Sequence, residues 1–171
     1  MQRRAFLVLA ISTLLSGCFA SERPLFGSES AVLALGDGGR YATFEQDGAK
    51  EKPSDPLEVR AGPNNVYEFV NEKGVVTPVT FHQLAGDEHV AQIKLQGGSG
   101  YGYVLVRTAD GRELVVMPAE CDKQDEAKMA ALGVVRRNQF ECRIDKVADP
   151  AAFFKGLKRS DPISRMVREQ P

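Results

Sequence analysis

Short runs of strand-forming residues recur along this chain roughly every 8–12 residues, each bounded by turn chemistry, and that spacing points to an antiparallel meander curled into a small barrel or sandwich. Residues 31–35 and 40–45 flank Gly36-Asp37-Gly38-Gly39, a hairpin signal. Residues 66–70 and 75–84 flank Asn71-Glu72-Lys73-Gly74, which fits a type I turn with Gly74 in the left-handed bulge position. Residues 89–95 follow Ala85-Gly86-Asp87, and 101–107 and 112–117 flank Thr108-Ala109-Asp110-Gly111. The polar stretch 46–56, with Pro53 and Pro56, reads as an exposed loop, and 57–60 as a short edge strand. Pro78 has no donor and belongs at a sheet edge or bulge.

Tyr103-Val104-Leu105-Val106 and Leu114-Val115-Val116-Met117 do not alternate with polar residues. Both faces of these strands are expected to be buried, one by the sheet core and one by a covering element. A helix over 123–132 supplies the cover, capped by Asp122, with Asp125 in its first turn, Gly133 at the C′ position and Val134 packing back. Residues 134–135 and 140–144 read as a further strand or two. Asp149-Pro150 opens a short helix through Phe153, Phe154 and Leu157. The expected fold is mainly β, an antiparallel meander of about eight strands with one inserted helix and one short C-terminal helix. The charged residues 158–171 read as a flexible tail.

The N-terminus is an address. Arg3 and Arg4 precede an apolar run over 5–15, broken only by Ser12 and Thr13. At about eleven residues it suits a signal peptide, since a membrane-crossing helix needs roughly twenty. Leu15-Ser16-Gly17-Cys18 follows and resembles the lipobox of bacterial lipoproteins. The resemblance implies cleavage between Gly17 and Cys18, a diacylglyceryl thioether on Cys18 and an acylated amine; two or more acyl chains anchor a protein stably. Arg3-Arg4-Ala5-Phe6-Leu7 also resembles the core of a twin-arginine export signal, but Gln2 and Val8 replace its usual Ser and Lys, so both export routes stay open. Phe19 after the cysteine, where Asp marks inner-membrane retention in enteric bacteria, favours the outer membrane. The expected product faces the periplasm, with 18–30 a lipidated tether docked by Leu25 and Phe26 and 31–157 a single β-rich domain.

Removing residues 1–17 takes away two Arg and no acid, so the formal net charge moves from −1 to −3. No basic excess points to nucleic acid. Cys121 and Cys142 remain as an even pair in an exported protein, and a disulfide is expected. It would close a loop of about 22 residues and contribute roughly 3 kcal/mol in the chain-entropy model.

Candidate chemistry is sparse. His82 and His89 invite a metal pair, but matching Phe81 to Ala91 and Val79 to Ile93 sends the two imidazoles to opposite faces. Glu120, Asp122, Asp125 and Glu126 lack calcium-loop spacing and read as a solvated helix start. Gly97-Gly98-Ser99-Gly100 lacks the Gly-Lys-Ser/Thr of a phosphate loop and reads as a turn. Tyr101 and Tyr103 share a face and are possible binding residues, able to stack on a ligand or glycan at a barrel mouth, with a core role as the alternative. There is no Gly-x-Ser-x-Gly elbow. The sequence reading is therefore not an enzyme and carries no cofactor or metal. It is a membrane lipoprotein that binds an envelope protein or polymer; the alternative is a periplasmic carrier of an apolar small molecule.

Overall fold

Strands form where the turn residues leave room for them, and the sheet they make closes on itself. The computed structural model describes residues 19–97, 100–138 and 141–170. In chain order the strands begin with β1 (Phe19–Ser21), β2 (Ala31–Val32), β3 (Gly38–Asp47) and β4 (Lys50–Ala61). They continue with β5 (Val66–Val70), β6 (Val76–Ala85), β7 (Glu88–Lys94), β8 (Tyr101–Ala109) and β9 (Glu113–Val116). After helix α1 (Glu126–Ala131) come β10 (Val134–Arg136), β11 (Cys142–Ile144), helix α2 (Pro150–Lys155) and β12 (Ser164–Arg168). Strands β3 to β9 and β12 form a closed, eight-stranded antiparallel barrel, with β12 inserted between β9 and β3 and β8 pairing β9.

Several local expectations hold. Gly74 has φ 73°, its N–H donates to Asn71 O, and the Asn71 side chain accepts from Lys73 N and Val75 N. Asp110 and Gly111 both have positive φ (49° and 66°), and Arg112 N donates to Ala109 O (2.8 Å), closing the turn between β8 and β9. β6 and β7 pair with Phe81 opposite Ala91, Val79 opposite Ile93 and Thr80 opposite Gln92. Asp149 caps α2 by accepting from Ala152 N, with Pro150 in the first turn.

Alternation sorts the side chains into two cores. Tyr41, Val59, Tyr67, Phe81, Val104 and Leu114 belong to the cluster filling the barrel. Val90, Tyr103 and Leu105, on the outer face of β7 and β8, belong to a second cluster with Phe19, Met129, Ile144, Phe153 and Phe154. Strand β8 is therefore buried on both faces, as its unbroken apolar run requires. The outer layer is carried partly by β1, which pairs antiparallel with β8 and parallel with β11, and by the β10–β11 hairpin. The Cys121–Cys142 disulfide, with Cα atoms 5.6 Å apart, lies within this layer.

Five expectations are corrected. The inserted helix is shorter than 123–132: a 3-10 turn occupies Cys121–Lys123, and Asp125 rather than Asp122 caps α1, accepting from Lys128 N. The Gly36–Gly39 segment does not join a hairpin, because β2 pairs with β6 and the chain after it turns into the barrel. Residues 46–53 are exposed as expected of the 46–56 stretch, with Ser54 and Pro56 half-buried, but the stretch forms strands, a β3–β4 ribbon in which β4 has no partner on its outer side before Glu58; Pro53 and Pro56 sit along that open edge, where a missing donor costs least. Residues 19–30 dock through Leu25 and Phe26 as expected but are more than a tether: residues 19–21 join the sheet as β1, and Phe19 packs edge-on to Phe153 and Phe154. Residues 158–171 are not a loose tail, since β12 completes the barrel wall.

Candidate functional site

The two ends of the barrel differ. At one end the segment after β2 folds inward and plugs the opening with Leu35, which has no exposed surface. Tyr67 holds the plug: its hydroxyl accepts from Leu35 N (3.1 Å) and donates to Gly36 O (2.7 Å). Tyr41 ties the same end to the β8–β9 turn through its hydroxyl and Gly111 O (2.9 Å).

Toward the other end the interior holds a partly open cavity of about 80 Å³. Its deeper wall includes Phe81, Ala91, Val104 and Leu114; Leu57, Phe69, Thr77, Ile93 and Ser164 stand toward the unplugged end. No charged side chain lines it. Ser164 faces inward because it has the parity of Met166, a member of the interior cluster. Ser164 is 6% exposed and its Oγ has no hydrogen-bond partner. The neighbouring inward hydroxyls are engaged: Thr43 donates to Asp55 O (2.7 Å), and Thr77 Oγ1 accepts from Gln96 Nε2 (3.2 Å). The cavity is thus an apolar well with one uncommitted buried hydroxyl. The alternation Ser164-x-Met166 was the sequence signal for it, hidden in a stretch rich in charged residues.

The histidines do not meet. His82 lies on the outer face, stacked on Phe26 with ring centroids 4.5 Å apart, and its two ring nitrogens contact Ser30 Oγ and Thr80 Oγ1 (both 2.9 Å). Burial pushes its pKa down to about 4, so the ring is neutral at physiological pH. His89 has the parity of Ala91 and Ile93 and contacts Asp87 O through Nδ1 (3.0 Å); burial lowers its pKa too. Among the described residues no group of three or more His, Cys, Asp or Glu side chains could hold a metal ion.

Tyr103 takes the core alternative. It is 2% exposed, its hydroxyl is hydrogen-bonded to Ser21 Oγ (2.7 Å) and accepts from Leu25 N (3.0 Å), and its ring packs on Phe154 at 5.3 Å. That leaves no face on which a ligand could stack. Tyr101 is partly buried against the same outer cluster, away from the barrel interior. The acids near Cys121 are spent locally: Glu120 pairs with Lys123 (2.6 Å) and Ser160 (2.5 Å), and Asp125 caps α1. Gly97 and Gly100 lie between β7 and β8, with Leu95 N donating to Gly100 O (3.1 Å). A Cβ at Gly100 would lie 2.6 Å from Ser21 O, so glycine there admits β1 onto the sheet. The signal segment and Cys18 lie outside the described residues.

Comparison of the chain with protein-family models, with curated proteins and with solved structures returns no match.

Proposed function

We propose that this chain is a lipid-anchored protein of the bacterial cell envelope that binds a protein or envelope polymer without doing chemistry on it. The observation that carries the binding reading is the β3–β4 ribbon. Every residue from 45 to 53 is exposed, and the ribbon contributes nothing to either core beyond its base. A two-stranded ribbon on its own is marginal in water. This one is held by cross-strand contacts such as Lys52 with Asp47 and by Arg165 reaching Glu51 from β12 (2.8 Å). Its mixed charges suit a polar partner surface.

The lipobox resemblance supports the anchor on Cys18, and the Cys121–Cys142 disulfide supports an oxidising compartment outside the cytoplasm. With Phe19 already in β1, acyl chains on Cys18 would hold the barrel close against the membrane, with no slack between. A periplasmic carrier is less well supported, because drug-sized ligands occupy pockets of roughly 300–1,000 Å³, well above the about 80 Å³ here.

A photo-crosslinking residue at Ala49, introduced in living cells, tests the binding reading. The expected result is a discrete adduct with an envelope protein or polymer, lost on solubilising the envelope before irradiation. Adducts from a control position such as Glu72 but none from Ala49 would overturn it. Mass spectrometry of membrane-extracted protein tests the anchor separately: a chain that begins at Met1 and carries no acyl mass removes that part.

A further inference from the structure

We propose that the barrel cavity is a binding site for a small neutral aliphatic group carrying one hydrogen-bond acceptor, recognised by the Ser164 hydroxyl. This goes beyond the anchoring and partner-binding reading and does not rest on it. Three properties of the cavity define the ligand.

Size comes first. An apolar cavity of about 150 Å³ accepts a benzene ring. The cavity here, about 80 Å³ and partly open, admits a smaller group and cannot enclose a long chain. By that comparison the occupant is about three carbons, or the end of something longer whose remainder stays outside.

Charge comes second. With only apolar side chains and the hydroxyls of Thr77 and Ser164 on the wall, an ionised group inside would lose its hydration with nothing to replace it. The ligand is neutral where it is buried.

Hydrogen bonding comes third. Ser164 Oγ is shielded from solvent and unpaired, a state that costs free energy unless something fills it. A water there is poorly held, since a buried water typically makes about three hydrogen bonds and the other side-chain hydroxyl on the wall, Thr77 Oγ1, sits on β6, four strands from β12 either way round the barrel, and already accepts from Gln96. Ser164 is therefore the donor that meets a carbonyl oxygen. Ser164 stands toward the unplugged end and Phe81, Ala91 and Val104 lie deeper, so the aliphatic part enters first and the carbonyl stops at the Ser164 hydroxyl.

The test uses acetone, with propane as the acceptor-free counterpart. The chain is used as recovered after expression in bacteria, in phospholipid nanodiscs if it bears lipid, with methyl-labelled Ile, Val and Met. The expected result is saturable shifts of the Ile93, Val104 and Met166 methyl signals with both probes. Ser164→Ala should weaken acetone binding about five-fold, the worth of one neutral hydrogen bond, and leave propane binding unchanged. Ala91→Leu should abolish both while the other methyl signals keep their dispersion. No saturable shift in the parent overturns the proposal, as does equal acetone affinity in parent and Ser164→Ala. Cavity methyl signals that respond only to a protein fraction from the envelope also overturn it, and assign the cavity to a partner's side chain.

Discussion

The hydroxyl of Tyr67 holds the backbone N–H of Leu35 at 3.1 Å, inside the plugged end of the barrel. The same oxygen donates to Gly36 O at 2.7 Å, so one side chain satisfies both polar groups that the inward turn would otherwise strand. Tyr67→Phe removes both bonds and keeps the ring packed on Phe81 at 5.6 Å. The expected cost is about 1–3 kcal/mol, the penalty of leaving a buried donor unpaired. Chemical denaturation measures the loss, and faster amide exchange at Leu35 than in the parent locates it. An unchanged midpoint would mean that the plug is held by burial of Leu35 alone.

The disulfide makes a second prediction. Cys121 and Cys142 are both buried in the outer cluster, and the bond spans a sequence separation of 21. In the chain-entropy model its loss removes roughly 3 kcal/mol. Reduction should lower the thermal midpoint, and the outer layer should loosen before the barrel, because the cysteines pin β11 and the α1 excursion and not the barrel wall. Hydrogen exchange on the reduced protein should show β10 and β11 losing protection while β6 and β7 keep theirs. Uniform loss everywhere would contradict the two-core description.

His82 makes stability depend on pH. Its folded pKa, about 4, lies below the ordinary 6.5 because burial penalises the charged ring. The unfolded chain therefore takes up a proton first as the pH falls, and the native state loses relative stability between pH 6.5 and 4. The effect totals about 3 kcal/mol, with about 2 of it gone by pH 5. Above pH 6.5 it is fully present. His89, shifted the same way, adds to the same trend. Denaturation midpoints between pH 7 and 5, above most carboxylate titration, should fall steeply in the parent and less steeply in His82→Asn. Parallel slopes in the two proteins would reject His82 as the cause.

Much of the barrel was legible because its signals are local. The β6–β7 register follows from matching Phe81 with Ala91 and Val79 with Ile93, and a one-residue slip would turn every one of these side chains to the wrong face. The double burial of β8 follows from its lack of polar alternation. What was hidden depends on distant partners. Gly36-Asp37-Gly38-Gly39 has the chemistry of a hairpin turn, and only the pairing of β2 with β6 makes it the exit of a plug instead. Asp122 and Asp125 are equally good caps by type; Cys121, tied to Cys142, keeps the first of them in a 3-10 turn. The alternation of Ser164 with Met166 hints at an inward hydroxyl, but the cavity volume was not readable, since it depends on how the strands curve around residues such as Ala91 and Ser164.

β12 is the sharpest case, because the charge that made residues 158–171 read as loose is what fastens them. Arg165 reaches Glu51 on β4 and Glu113 on β9 and lies over the Phe44 ring at 5.0 Å, while Met166 points inward among the barrel side chains. The ion pairs are about a third exposed and screened by water, so Arg165→Ala should cost only about 0.5–1 kcal/mol. Met166→Ala removes a core side chain beside an existing cavity and should cost about 2–5 kcal/mol. Deleting residues 164–171 should do far more, because it leaves β3 and β9 with open edges across a gap in the wall and invites pairing between molecules. Circular dichroism melting and size-exclusion chromatography distinguish the outcomes: the truncated chain should show no cooperative transition and should associate. If it melts like the parent as a monomer, β12 does not close the barrel and the wall must be sealed by β3 and β9 directly.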